Sequence, residues 1–117
     1  MLNLVTNHSV LLQLKGNQPV PLLIDLDVGV DDAGALILAS AHKELVNIVA
    51  LTTVEGNTDE GNAYKNTKYL LKKLGKTYPI YRGLNSMQPD SSHARNIHYS
   101  GRDGLGMMPD REDRNEK

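Results

Sequence analysis

Cysteine, phenylalanine and tryptophan are all missing from this 117-residue chain, and five tyrosines make up its whole aromatic content. Without cysteine there is no disulfide, no thiolate metal site and no cysteine nucleophile, and the composition suits a reducing compartment, the cytoplasm. No apolar stretch approaches the roughly 20 residues that span a membrane. The N-terminal MLNLVTNHSVLLQL lacks the basic and long apolar regions of a signal peptide, so Asn7-His8-Ser9 reads as a chance glycosylation triplet. A net charge of −1 gives no electrostatic footprint for nucleic acid or an anionic membrane. So few large apolar side chains predict a modest core that borrows cover from elsewhere.

What is present alternates between two periodicities. Residues 1–19 read as an extension closed by the loop-forming KGNQPVP. LLIDL predicts a short buried strand, DVGVDD a turn, and DAGALILASAH a helix apolar on nearly every face. VNIVALTTV predicts a second, β-branched strand. The next helix is expected to be capped by Thr58, to bury Ala63, Thr67, Leu70, Leu71 and Leu74, and to stop at Gly75. PIYRG predicts a third strand, residues 84–106 little periodicity, and residues 111–117 a charged, frayed tail. Strands alternating with helices predict an α/β fold: an open, mostly parallel, Rossmann-like sheet with helices on both faces, within a domain over residues 20–110. Ligands bind such sheets beyond the carboxyl ends of the strands.

That is where the chemistry-bearing residues fall. DLDVGVDD holds Asp25, Asp27, Asp31 and Asp32 within eight positions. Strand alternation sends Asp25 and Asp27 to one side, Gly29 permits a tight turn, and the helix start returns Asp31 and Asp32 to the same strand end. Converging carboxylates make an all-oxygen site for a hard cation, Ca²⁺ or Mg²⁺, rather than a zinc site. One or two aspartates capping a helix, with the others solvated, is the plainer alternative. An EF-hand loop starting at Asp25 is excluded, because Gly29 and Leu36 occupy its fifth and twelfth positions. The D-x-D nucleophile pattern of the haloacid dehalogenase-like phosphatases stays open. It gives Asp31 and Asp32 no role, and it meets Gly29 where it wants Thr or Val.

DLDVGVDDAGAL resembles the D-x-D-x-G-x-D-D-A signature of the inosine–uridine-preferring nucleoside hydrolases. VALTTVEGN, NAYKNTKYLLKKLGK and PIYRG resemble that family's next strand with its Gly-Asn, helix and third strand, and SGRDGLG resembles its H-G-x-D-G-L-G segment. The resemblance implies water-driven cleavage of the N-glycosidic bond of purine or pyrimidine ribonucleosides with Ca²⁺. It makes Asp27 a calcium ligand and the general base on a Ca-bound water, Asp32 a second ligand, Asp31 a ribose contact, and Asn57 a neighbour of the metal–ribose cluster. Asp25 and His98 are supporting candidates, and Ser100 stands where many members carry His. It implies a ribonucleoside as the partner, with self-association as a further expectation. The chain is well under half a typical member's length, so an N-terminal, truncated portion with little activity of its own is expected. A non-catalytic product that binds cation or nucleoside, or associates with a longer relative, is the alternative.

Overall fold

The computed structural model describes residues 16, 18–84 and 97–106, the side chains of 97 and 98 excepted. Most of the 1–19 extension, the 111–117 tail and the side chain of His98 lie outside the described residues. In chain order the elements are β1 (Val20–Leu26), α1 (Val30–Ala41), β2 (Val46–Thr53), α2 (Glu60–Leu74), β3 (Ile80–Arg82) and the one-turn α3 (Ile97–Ser100). The three strands form an open parallel sheet in the order β1-β2-β3. This is the expected α/β class, with both crossovers helical.

Each boundary has a local cause. α1 begins after Gly29 with no side-chain cap, and Asp31 and Asp32 in its first turn complement the helix dipole instead. α2 is capped by Asp59 rather than by the expected Thr58: the Asp59 carboxylate accepts from the Asn62 backbone N–H at 2.7 Å. Thr58 is buried and accepts from the Asn62 side chain at 3.2 Å. α2 ends as expected, with Gly75 in the left-handed region at φ 63°. A bulge between Leu22 and Leu23 pairs Leu22 with Ile48 but Leu23 with Ala50. Val49 is thereby skipped, and Leu51 and Thr53 turn inward with Ile24 and Leu26.

Leu26, Ile48 and Leu51 of the sheet meet Ala33 and Leu36 of α1 and Leu70 and Leu71 of α2 in one core, which Val28 and Leu105 close at the carboxyl end. Helices on both faces are expected, but among the described residues both long helices join this single core. A sheet built outward in one direction explains this, since successive right-handed crossovers return on the same side. The opposite face leaves Leu23 64% and Tyr81 62% exposed, and the outer side of α1 leaves Leu38 63% exposed. The apolar character of α1 therefore exceeds what the described residues bury.

Beneath the carboxyl edge sits a charged tie. The Glu60 carboxylate, 1% exposed, accepts from Thr53 Oγ1 at 2.7 Å and from Arg82 Nη2 at 2.6 Å and Nε at 3.1 Å. Arg82 also lies over the Tyr64 ring, 4.7 Å from its centroid. One side chain thus links the ends of β2 and β3 to the first turn of α2. The Arg82 hydrogen bonds hold the Glu60 carboxyl below its ordinary 4.5. A lowered native pKa stabilises fully above about 4.5 and loses its effect as pH falls through the lower value. Glu60→Gln is therefore expected to lower the melting temperature at pH 7 and to converge on wild type in acid, in melts followed by circular dichroism. Gly34, in the middle of α1, has nothing within 4 Å of where a Cβ would stand. Gly34→Ala is expected to add about 0.5–1 kcal/mol in urea unfolding.

Candidate functional site beyond the carboxyl ends of β1 and β2

Parallel pairing brings the exits of β1 and β2 side by side, and the Val54 N–H continues the ladder by donating to Leu26 O at 2.9 Å. Asp27, one residue past β1, and Asn57, four past β2, meet across this edge. The Asn57 backbone N–H donates to Asp27 Oδ2 at 3.0 Å, and its side-chain amide donates to Asp27 Oδ1 at 3.3 Å. Both carboxylate oxygens are therefore held by one residue. Gly56 makes the approach close enough, because a Cβ there would run into the Asp27 carboxylate and come within 2.7 Å of Asp27 Cβ.

Asp32 reaches back from the first turn of α1, its Oδ2 accepting from the Asp27 backbone N–H at 3.1 Å. Burial first, then a hydrogen bond to the Asp27 side chain and its negative charge, push the Asp32 carboxyl from 3.8 to about 6. Two carboxylates compete for one region with no basic side chain hydrogen-bonded to either among the described residues. Asp31 is exposed on the next position of the helix. Gly29 lies among the site residues: a Cβ on it would stand 2.7 Å from Asn57 Nδ2, 2.8 Å from Asp31 Oδ1 and 3.0 Å from Ser100 Oγ. Its φ of −91° is open to any residue. The glycine thus keeps these side chains close together, and its backbone conformation does not itself demand glycine.

Asp25 goes elsewhere. Its carboxylate accepts from Thr52 Oγ1 at 2.5 Å, at the paired position of β2. Asp27 lies past the end of the strand, where alternation no longer governs direction. One residue that the signature does not flag helps to hold the site together. Asn66 of α2, fully buried, donates to Asp103 O at 2.6 Å and Val28 O at 3.4 Å, tying the exit of β1 to the turn 101–106. Within that turn Asp103 Oδ1 accepts from the Leu105 N–H at 3.0 Å. Asn66 was visible only as a polar residue on the apolar stripe of α2. Ser100, also fully buried, has an Oγ without a hydrogen-bond partner.

As a cation site the donor chemistry fits. Asp27 and Asp32 are oxygen donors held together against their mutual repulsion, a donor type that would suit a hard divalent ion. The number of donors does not complete a shell, since no group of three acidic or histidine side chains among the described residues could hold a metal ion.

An open parallel sheet with acidic and amide groups gathered past its strand ends is an α/β architecture with its polar cluster where such sheets bind ligands. The family model for inosine-uridine preferring nucleoside hydrolases matches residues 22–117, and the chain belongs to that family. It is 34% identical over 94 residues to a uridine nucleosidase of Saccharomyces cerevisiae, across 77% of this chain and 27% of that protein. It is 39% identical over 90 residues to the pyrimidine-specific ribonucleoside hydrolase RihA of a Shewanella species, across 74% of this chain and 28% of that protein. Among solved structures it is similar to an inosine-guanosine nucleoside hydrolase, with a TM-score of 0.52 and 36% identity over 55% of this chain and 19% of that one. The chain thus spans just over a quarter of the length of these two curated relatives. Family membership replaces the phosphatase alternative, in which Asp25 was the nucleophile.

The Asp32 pKa sets a sign for stability. A raised native pKa stabilises below about 3.8 and loses that contribution as pH rises through about 6. In chelator, Asp32→Asn is therefore expected to raise the urea midpoint at pH 7 and to match wild type near pH 4.

Proposed function

We propose that the chain carries the cation- and sugar-binding segment of a ribonucleoside N-glycosidase acting on uridine- or inosine-like substrates. The observation that carries this reading is the Asp27 carboxylate, clamped by both amides of Asn57 with Asp32 against it. Ca²⁺ held by Asp27 and Asp32 would acidify water in its shell and fix the orientation of the ribose diol. Asp27 accepts the proton of the attacking water as the water oxygen bonds to C1′ and the C1′–N bond breaks. The Asn57 amides keep that carboxylate in place, which removes the reorganisation a free aspartate would undergo. Asp31, exposed beside Asn57, hydrogen-bonds a ribose hydroxyl. The clustered negative charge favours the oxocarbenium-like sugar that forms as the base departs.

No group of three acidic or histidine side chains that could hold a metal ion occurs among the described residues. As the 117-residue chain spans just over a quarter of the two curated relatives, we expect it to bind more readily than it turns over. Bare apolar positions on the sheet and on α1 favour association with further protein, a second copy included. Among the described residues no helix is long and apolar enough to cross a membrane, and the cytoplasm is the location we propose.

Titration of the chain with uridine and with inosine, with and without CaCl₂, tests this. Millimolar binding that needs Ca²⁺ and disappears in Asp27→Asn, with ribose release near background, is the expected result. Binding indifferent to Ca²⁺ and to Asp27, or hydrolysis that survives Asp27→Asn, would contradict it.

A further inference from the structure

The Ser100 hydroxyl has no part in holding the fold. The turn that carries it is fixed by other groups: the Gly106 N–H donates to Ser100 O at 2.7 Å, and Asn66 clamps Asp103 O to the exit of β1. The side chain is nonetheless fully buried, and its Oγ is without a hydrogen-bond partner. A desolvated hydroxyl left unpaired is a cost that a methyl group in its place would avoid.

Its surroundings indicate what the cost supports. Ser100 Oγ, Asp31 Oδ1 and the Asn57 side-chain amide, which donates to Asp27, all lie within 3.0 Å of one point, the place where residue 29 would carry a Cβ. Only the absent side chain of Gly29 leaves that point free. Asp31 is the exposed member of the acidic group, and no hydrogen bond to its carboxylate is described. A hydroxyl is a donor, an ionised carboxylate an acceptor, and the bond between them is of the short, charge-assisted kind.

We propose that Ser100 is a positioning residue that acts through Asp31. When a sugar hydroxyl engages the Asp31 carboxylate, the carboxylate turns inward over Gly29 and accepts from Ser100 Oγ–H, which fixes its orientation towards the sugar. The apo chain then carries the unpaired hydroxyl, and the complex relieves it. This rests on the ribose-contact reading of Asp31 given above.

D-ribose in the presence of CaCl₂ is the probe, titrated against the 117-residue chain by NMR alongside thermal melts. Ser100→Ala is expected to melt no lower than wild type without ligand, yet to bind ribose about 5- to 10-fold more weakly, on the scale of one hydrogen bond. Ser100→Thr, which keeps the hydroxyl, restores binding. In an Asp31→Asn background Ser100→Ala has a much smaller effect, because the partner charge is gone. Ribose affinity unchanged in Ser100→Ala overturns the proposal and leaves the site reading standing. Equal losses from Ser100→Ala with and without Asp31 overturn the route through Asp31. Wild type that ignores ribose overturns the ribose reading, and this proposal with it.

Discussion

Two carboxylates held side by side at the end of β1 are the constraint around which the rest is arranged. Burial, then the hydrogen bond to Asp27 and the negative charge beside it, raise the pKa of Asp32. Asn57 offsets part of that charge by donating to both oxygens of Asp27. Asn57 can do so only because Gly56 presents no Cβ to the carboxylate. It also depends on the parallel pairing that sets the end of β2 beside the end of β1. The sheet, the glycine and the amide thus serve one arrangement, a pair of carboxylates whose mutual repulsion a bound cation would relieve.

The scaffold around this pair is secured from below and from the side. Glu60 ties Thr53 and Arg82 to the start of α2, so the loop 54–59 that carries Asn57 is anchored at both ends. Asn66 ties the β1 exit to the turn 101–106 and so brings Ser100 against Gly29. Both devices are buried polar groups on α2, a helix whose apolar stripe alone would have packed it without them. Their placement favours a fixed geometry at the strand ends over maximal stability.

Much of this was legible in the chain itself. LLIDL, VNIVALTTV and PIYRG announce the strands through apolar runs and β-branching, and Gly75 marks its helix end because left-handed backbone there favours glycine. The helix cap was less legible, since Thr58 and Asp59 are adjacent and both of capping type, and Asp59 is the one that accepts from the Asn62 N–H. The side on which the helices pack depends on strand order, which no local pattern carries. At the site, the signature placed Asp27, Asp32 and Asn57 in one group, and the geometry brings them together. It could not show that Asp25 pairs with Thr52, because that follows from register across the sheet. Nor could it show that Gly29 serves close approach, or that Ser100 is buried without a partner, because both arise from segments distant in sequence.

The central claim is that Asp27 and Asp32 form a cation site in which Asn57 holds the Asp27 carboxylate in place. Amide NMR during a CaCl₂ titration tests it most directly, because the Asn57 backbone N–H and side-chain amide both report on the Asp27 carboxylate. The account predicts saturable shifts confined to Asn57, Gly56, Asp27 and the first turn of α1, at millimolar Ca²⁺ and absent in Asp32→Asn. No response at these amides, or a response centred instead on Asp25 and Thr52, would contradict it.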